Sequence, residues 1–201
     1  MMPSIPLTNV IVAGIGGQGI LTAAEILARV ALAAGLDVKK SEVKGLSQRG
    51  GSVVSFVRFG PRVFSPIIEK GTAHLLVAFE RAEALRWVHF LNPKDNTVVL
   101  NDLTVVPLPA TLGLDAYPDR IEERLQRVAS RLVRVNGPAV ANRLGNPLVA
   151  NTVVLGAVST LLPFPEEIWH QVLEELFRTK HLEVNLRAFA EGRREAMDPR
   201  G

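Results

Sequence analysis

A short run rich in β-branched residues, Thr8 to Ala13, breaks abruptly into Gly14-Ile15-Gly16-Gly17-Gln18-Gly19, and helix-spaced apolar residues follow at once. Ala23, Ile26, Leu27, Val30, Ala31 and Ala34 recur at a spacing that gives the helix one apolar face. Gly35 stands where a helix C-cap needs a positive φ, and Leu36 to Val43 resumes extended character. A strand, a glycine turn, a helix and a second strand close as a right-handed parallel crossover. That unit commits the chain to an α/β fold, with a sheet covered by helices.

The remaining elements follow the same rules. Ser52 to Phe59 and Arg62 to Ile68, separated by Gly60-Pro61, predict an antiparallel hairpin and therefore a mixed sheet. His74 to Phe79 suits a buried strand followed by a helix to about Phe90, and Thr97 to Leu100 and Arg131 to Val135 suit two more strands. Pro118 to Ser130 reads as a charged surface helix. The apolar stretch Leu148 to Leu162 is too short to span a bilayer, contains Asn151, Thr152 and Ser159, and is stopped by Pro163, so it reads as a core helix. Pro165, Glu166 and Glu167 form a helical first turn, after which Ile168, Trp169, Val172, Leu173, Leu176 and Phe177 line one face. Trp169 is expected in the core, and the last Arg-, Glu- and Gly-rich residues are expected to fray. The expected architecture is an α/β three-layer, Rossmann-like sandwich. Its mostly parallel, mixed sheet contains an antiparallel hairpin, its C-terminus is helical, and it forms a single domain over residues 1–201.

Composition narrows the chemistry. With 47% apolar and 21% charged residues, disorder is excluded as the main state. The chain has no cysteine, which excludes disulfides, thiolate metal sites, cysteine nucleophiles and any iron–sulfur cluster held by its own thiolates. Lys plus Arg is 23 against 20 Asp plus Glu, and a net +3 is too weak a field to favour nucleic acid as a partner. Met1 to Gly17 lacks the basic start of an export signal, so a cytoplasmic location without membrane attachment is expected.

Two glycine turns carry the candidate chemistry. In the first, Gly14 permits a tight turn, Gly16 and Gly17 let backbone N–H groups approach an anion, and Gly19 allows close helix–strand packing beside Gln18. The helix start behind it favours phosphate, pyrophosphate or another anion. The competing reading is that the glycines merely turn the chain. A dinucleotide site wants an acid about 20 residues on, and Glu42, 23 positions after Gly19, is a loose match. The second turn, Gln48-Arg49-Gly50-Gly51-Ser52, sets a guanidinium fork beside exposed N–H groups, which suits phosphate or carboxylate. Both turns follow strands expected to be parallel, which places them on one carboxyl edge of the sheet. Glu80, Asn101 and Asp102 follow later strands toward that edge, where they serve either a site or helix caps. The four histidines lack metal-ligand spacing, no serine has a nucleophile-elbow context, and neither turn carries a GK[ST]. Asn151 reads as a satisfied core amide.

The segments Gly14-Ile15-Gly16-Gly17-Gln18-Gly19-Ile20-Leu21 and Ser41-Glu42-Val43-Lys44-Gly45-Leu46-Ser47-Gln48-Arg49-Gly50-Gly51-Ser52-Val53 together resemble the gamma-type domain of 2-oxoacid:ferredoxin oxidoreductases. The free-standing chains of the indolepyruvate branch match best, and the likeness covers nearly the whole chain. Where the family pattern carries His-Gly-Met-Ala, this sequence has Lys44 for the His and Leu46-Ser47 for Met-Ala, so no imidazole role carries over. The resemblance implies oxidative decarboxylation of an aryl 2-oxoacid such as indolepyruvate, with coenzyme A accepting the acyl group and ferredoxin the electrons. It further implies that thiamine diphosphate, magnesium and [4Fe–4S] clusters reside on a larger alpha subunit that this chain completes. No such cofactor is then expected on this chain alone, and the isolated chain can pair with itself. Two alternatives remain at this point. One is a stand-alone NAD(P)-dependent dehydrogenase, although Tyr117 lacks a YxxxK context; the other is a nucleotide-binding assembly module.

Overall fold

The run from Thr8 forms β1 (Thr8–Ile15), and the glycines after it lead into α1 (Ile20–Ala33) and β2 (Asp37–Lys44). The computed structural model describes residues 5–44, 51–106, 111, 116–177 and 179–197. Beyond β2 come β3 (Ser52–Gly60), β4 (Leu75–Ala78), α2 (Arg81–Trp87), a 3₁₀ turn at Val88–Phe90 and β5 (Thr97–Asn101). Then follow α3 (Ile121–Gln126), β6 (Arg131–Val135), α4 (Gly137–Arg143), α5 (Ala150–Ser159), α6 (Glu166–Leu176) and α7 (Thr179–Met197).

The six strands lie in the order β2-β3-β1-β4-β5-β6. β1, β4, β5 and β6 pair parallel, whereas β3 runs antiparallel to both β1 and β2. Two reversals leave β2 pointing the same way as β1, so five strands share one direction. The antiparallel hairpin is therefore present, but its second member is not the segment expected. β3 pairs with β2, from Asp37 opposite Gly60 to Lys44 opposite Val53, and Arg62 to Ile68 forms no strand. Pro61 and Pro66 deny that segment two ladder donors. It is held by side chains instead: Val63 N–H donates to Asp37 Oδ2 at 2.8 Å, and Arg58 Nη1 donates to the carbonyls of Ser65 and Ile67 at 2.9 and 2.6 Å.

Alternation along the strands splits the core into two layers. Val10, Val12, Val77, Val99 and Val133 face α1 and α4–α7, while Ile11, Ala13, Leu76, Val98 and Leu100 face α2 and α3. The charged helix expected over Pro118 to Ser130 is shorter, confined to α3, and buries Ile121 and Leu125. Trp169 is fully buried, with Phe189 at 5.7 Å and Phe164 at 6.3 Å between ring centroids. Among the described residues, no helix is long and apolar enough to cross a membrane.

Up to Met197 the Arg-, Glu- and Gly-rich C-terminal stretch is helical rather than frayed, and residues 198–201 lie outside the described residues. α7 runs to Met197 because two glycines let it lie directly on α5. A Cβ at Gly192 would stand 1.8 Å from the Val153 carbonyl oxygen, and one at Gly156 would stand 2.1 Å from that of Phe189. Arg193 then reaches across to Ser159 Oγ at 2.7 Å and to Glu166 at 3.1 Å. Gly192→Ala must push the helices apart, and overpacking of this kind costs about 1–3 kcal/mol or more. A urea melt of the variant is expected to show a lower midpoint than that of the parent chain with a similar slope; an unchanged midpoint would refute the packing argument.

Candidate functional site

The carboxyl end of β1 builds the first turn. Gln18 N–H bonds back to the Ile15 carbonyl at 3.2 Å, and Ile15 N–H donates to Gln18 Oε1 at 2.8 Å, so the glutamine side chain clasps its own loop. That fold-back needs glycine at 14, where a Cβ would lie 2.6 Å from Gln18 Oε1 and 2.9 Å from Phe79 Cβ. Gly19 caps α1 in the left-handed region, with φ 79°, and a Cβ there would stand 2.5 Å from Asn151 Nδ2. Glycine is thus required at 19 by conformation and by space.

Among the described residues, the second turn meets the first through the bond from Gly16 N–H to the Gly51 carbonyl at 2.9 Å. It carries the β1–β3 ladder one step beyond the Ile15–Ser52 pair. Gly51 and the Gly14–Gly19 turn are therefore neighbours on a single edge. Gln48, Arg49 and Gly50 lie outside the described residues. The Ser52 hydroxyl donates to Glu83 Oε2 at 2.5 Å, and Glu83 also receives Arg86 Nε at 3.0 Å. Gly16 N–H and the Ser52 hydroxyl are thus committed within the fold. Further donors lie at the helix start: the first intrahelical bond, Ala23 N–H to the Gly19 carbonyl at 2.9 Å, leaves Ile20, Leu21 and Thr22 N–H outside the ladder. No acidic residue occupies that first turn, so nothing there neutralises the positive end of the 14-residue helix.

A cleft of about 520 Å³ opens beside this helix start, lined by Gly17, Gln18 and Gly19 together with Phe79, Asn101, Leu103, Pro138, Asn142, Pro147, Leu148, Ala150 and Asn151. Its described lining holds carboxamides, prolines and apolar groups and no charged side chain. Asn151 is half-buried at the cleft wall rather than sealed in the core. Its Oδ1 accepts Thr152 N–H at 2.8 Å, which leaves its amide nitrogen against Gly19. The one hint in the sequence was a polar residue inside an otherwise apolar helix; nothing local tied it to a loop more than a hundred residues earlier. Asn142, Pro138 and Leu148 gave no such hint.

The later edge residues are structural. Asn101 donates to the Phe79 carbonyl and accepts Gly137 N–H, both at 3.0 Å, joining β4, β5 and the start of α4 under the cleft. Glu80 is 1% exposed yet fully engaged: Oε2 accepts Glu83 N–H at 3.0 Å, while Oε1 accepts Val105 N–H at 3.1 Å and Tyr117 O–H at 2.6 Å. Asp102 pairs with Arg81 at 2.8 Å. Glu42, the acid a dinucleotide site would use, is carried by the edge strand. β3 stands between that strand and β1, so Glu42 lies two strand spacings, about 10 Å, from β1, and it pairs with Lys40 at 3.1 Å. Among the described residues, no three histidine or acidic side chains converge as a metal site.

A family model described as pyruvate ferredoxin/flavodoxin oxidoreductase matches residues 9–195, and the chain belongs to this family of oxidoreductases. It is 39% identical to the indolepyruvate oxidoreductase subunit IorB of Archaeoglobus fulgidus, over 96% of each chain. Its fold is similar to that of the gamma subunit of a keto/oxoacid ferredoxin oxidoreductase from Geobacter sulfurreducens, with a TM-score of 0.69, 21% identity and coverage of 94% and 98% of the two chains. It is also similar to the 2-oxoglutarate:ferredoxin oxidoreductase of Magnetococcus marinus, solved with 2-oxoglutarate, coenzyme A and succinyl-CoA bound. There the TM-score is 0.74 and the identity 23%, over 96% of this chain but 31% of the other.

Tyr117 offers a direct test of the buried Glu80 cluster, since the chain has one tyrosine. Burial first, and the Glu80 carboxylate second, push its phenol up to about 12. The folded state therefore holds this proton more tightly than the unfolded state. Its stabilising contribution is complete below pH 10 and is lost as pH rises toward 12. Ultraviolet titration of the folded protein is expected to show phenolate forming near pH 12, and in Glu80→Gln between 10 and 12, because burial remains. A wild-type midpoint at 10 would contradict the cluster.

Proposed function

We propose that residues 1–201 act as one gamma-type domain, the smaller subunit of a 2-oxoacid:ferredoxin oxidoreductase acting on indolepyruvate or a related aryl pyruvate. In this reading the oxoacid loses carbon dioxide, its acyl group passes to coenzyme A, and two electrons pass to ferredoxin. Support comes from the 39% identity to a subunit named for indolepyruvate oxidation, sustained over 96% of both chains.

Thiamine diphosphate with magnesium and [4Fe–4S] clusters belong, in this reading, to the larger alpha subunit. The residues here do not fit those groups: the chain has no cysteine for a cluster, and its described residues gather no set of metal ligands. What this chain contributes is an anion-facing wall. Gly14, Gly16, Gly17 and Gly19 give the first turn its shape, and Gln18 locks it. The N–H groups of Ile20, Leu21 and Thr22 then point at a carboxylate or pyrophosphate. In this reading the sequence Gln48-Arg49-Gly50-Gly51-Ser52 supplies the second set of donors, with the Arg49 guanidinium as the charged fork. The observation that carries this reading is the Gly16–Gly51 bond, which holds Gly51 beside the first turn, whose Gly17, Gln18 and Gly19 line a cleft with no charged side chain among its described lining.

In the reconstituted complex, Arg49→Ala is expected to raise the KM for the oxoacid or for coenzyme A by about tenfold to a hundredfold, the value of one charge-assisted hydrogen bond. If both constants stay at the wild-type values, Arg49 does not face the ligand.

A further inference from the structure

The fold uses one end of the Asn151 side chain and leaves the other in the cleft. Asn151 is the second residue of α5, so the Thr152 N–H belongs to the first helical turn and lies outside the helix ladder. Asn151 Oδ1 accepts that N–H at 2.8 Å. A backbone N–H can only donate, so the carboxamide oxygen is fixed on this side and the amino group on the other. Thr152 is held in turn. It is fully buried, its hydroxyl donates to Asn185 Oδ1 at 2.6 Å, and Asn185 Nδ2 donates to the His181 carbonyl at 2.8 Å, which ties the start of α5 to α7.

The amino group serves nothing inside the protein. Among the described residues Nδ2 makes no hydrogen bond, and it stands flush with the first glycine turn, 2.5 Å from where a Cβ on Gly19 would lie. Satisfying the Thr152 N–H needs only an acceptor, which serine, threonine or aspartate would also provide. What the amide adds over those residues is a pair of donors at the cleft wall. There Phe79, Leu103 and Leu148 supply apolar surface, and no charged side chain of the described lining competes for an oxygen of a guest. Few polar groups of fixed direction on an otherwise apolar wall are how pockets orient a ligand. The tie through Thr152 and Asn185 sets that direction beforehand, so binding costs no reordering of the side chain.

We propose that Asn151 is a ligand-binding residue of this cleft, with Nδ2 donating to a carbonyl-type oxygen of the guest. In the functional reading above, on which this rests, that oxygen belongs either to the carboxylate of the oxoacid or to an amide carbonyl of coenzyme A. Asparagine stands at this position for its donor, and the bond to Thr152 is what aims it.

Two full-length variants separate the donor from the brace. Asn151→Asp keeps an acceptor for Thr152 N–H and puts a carboxylate at the positive end of α5, so its thermal midpoint is expected to be no lower than that of the wild type. Asn151→Ser keeps an acceptor and adds no charge. Each is reconstituted with the larger subunit, and sedimentation checks that assembly is complete. Both variants are expected to raise the same one of the two KM values, for the oxoacid or for coenzyme A, by about tenfold or more, the value of one hydrogen bond to a ligand. The constant that moves identifies the source of the oxygen. Wild-type constants in Asn151→Ser assign any effect of the aspartate to its charge and overturn the proposal, as does an equal rise in both constants. A wild-type complex that reduces no ferredoxin with oxoacid and coenzyme A overturns the functional reading, and the role of Asn151 with it.

Discussion

The insertion of β3 between β1 and β2, running against both, is the constraint on which the rest of this molecule depends. It brings two chain reversals to the same edge of the sheet, one leaving β1 for α1 and one joining β2 to β3. The β1–β3 ladder then continues past Ile15 and Ser52 to the Gly16–Gly51 bond, so glycine meets glycine with no side chain between them. The same insertion moves β2 outward and takes Glu42 away from the loop it would serve in a dinucleotide fold. One antiparallel strand thus both gathers the candidate site and separates it from the chemistry its glycine pattern first suggests.

Two electrostatic environments share that edge. On the α2 side, Glu80 and Glu83 are buried carboxylates whose oxygens are occupied by backbone N–H groups, the Ser52 and Tyr117 hydroxyls and Arg86. On the α1 side the described cleft lining holds no charged side chain, and the start of α1 carries no acidic residue in its first turn. An anion would be disfavoured beside the first and favoured beside the second. Ser52 belongs to the first, which makes it a brace for the second turn rather than a donor to a guest.

Much of this architecture was legible because periodicity reports burial. The apolar residues of β1, β4 and β5 alternate between two layers, and Trp169 and its neighbours recur at helical spacing, so strands, core helices and buried tryptophan followed from pattern. The misreadings have physical causes. Arg62 to Ile68 has the apolar content of a strand, yet its prolines cannot complete a ladder, and capture by Arg58 and Asp37 depends on residues distant in sequence. The Arg- and Glu-rich C-terminus looks frayed by composition. As far as Met197 it is helical because Gly192 and Gly156 allow contact between two backbones, and a glycine in a polar stretch does not announce which backbone it will meet.

What the sequence determined by itself was local or categorical: where the chain must turn, because only glycine tolerates those conformations and approaches, and which groups it cannot hold, because it lacks the thiolates. The tertiary structure decided what stands beside those turns. Asn151 reaches Gly19 from the far end of the chain, Glu80 ties Val105 to Tyr117, and Gly51 closes on Gly16. Such meetings depend on strand order and register, which are settled by the burial of whole faces at once and leave no mark at any single position.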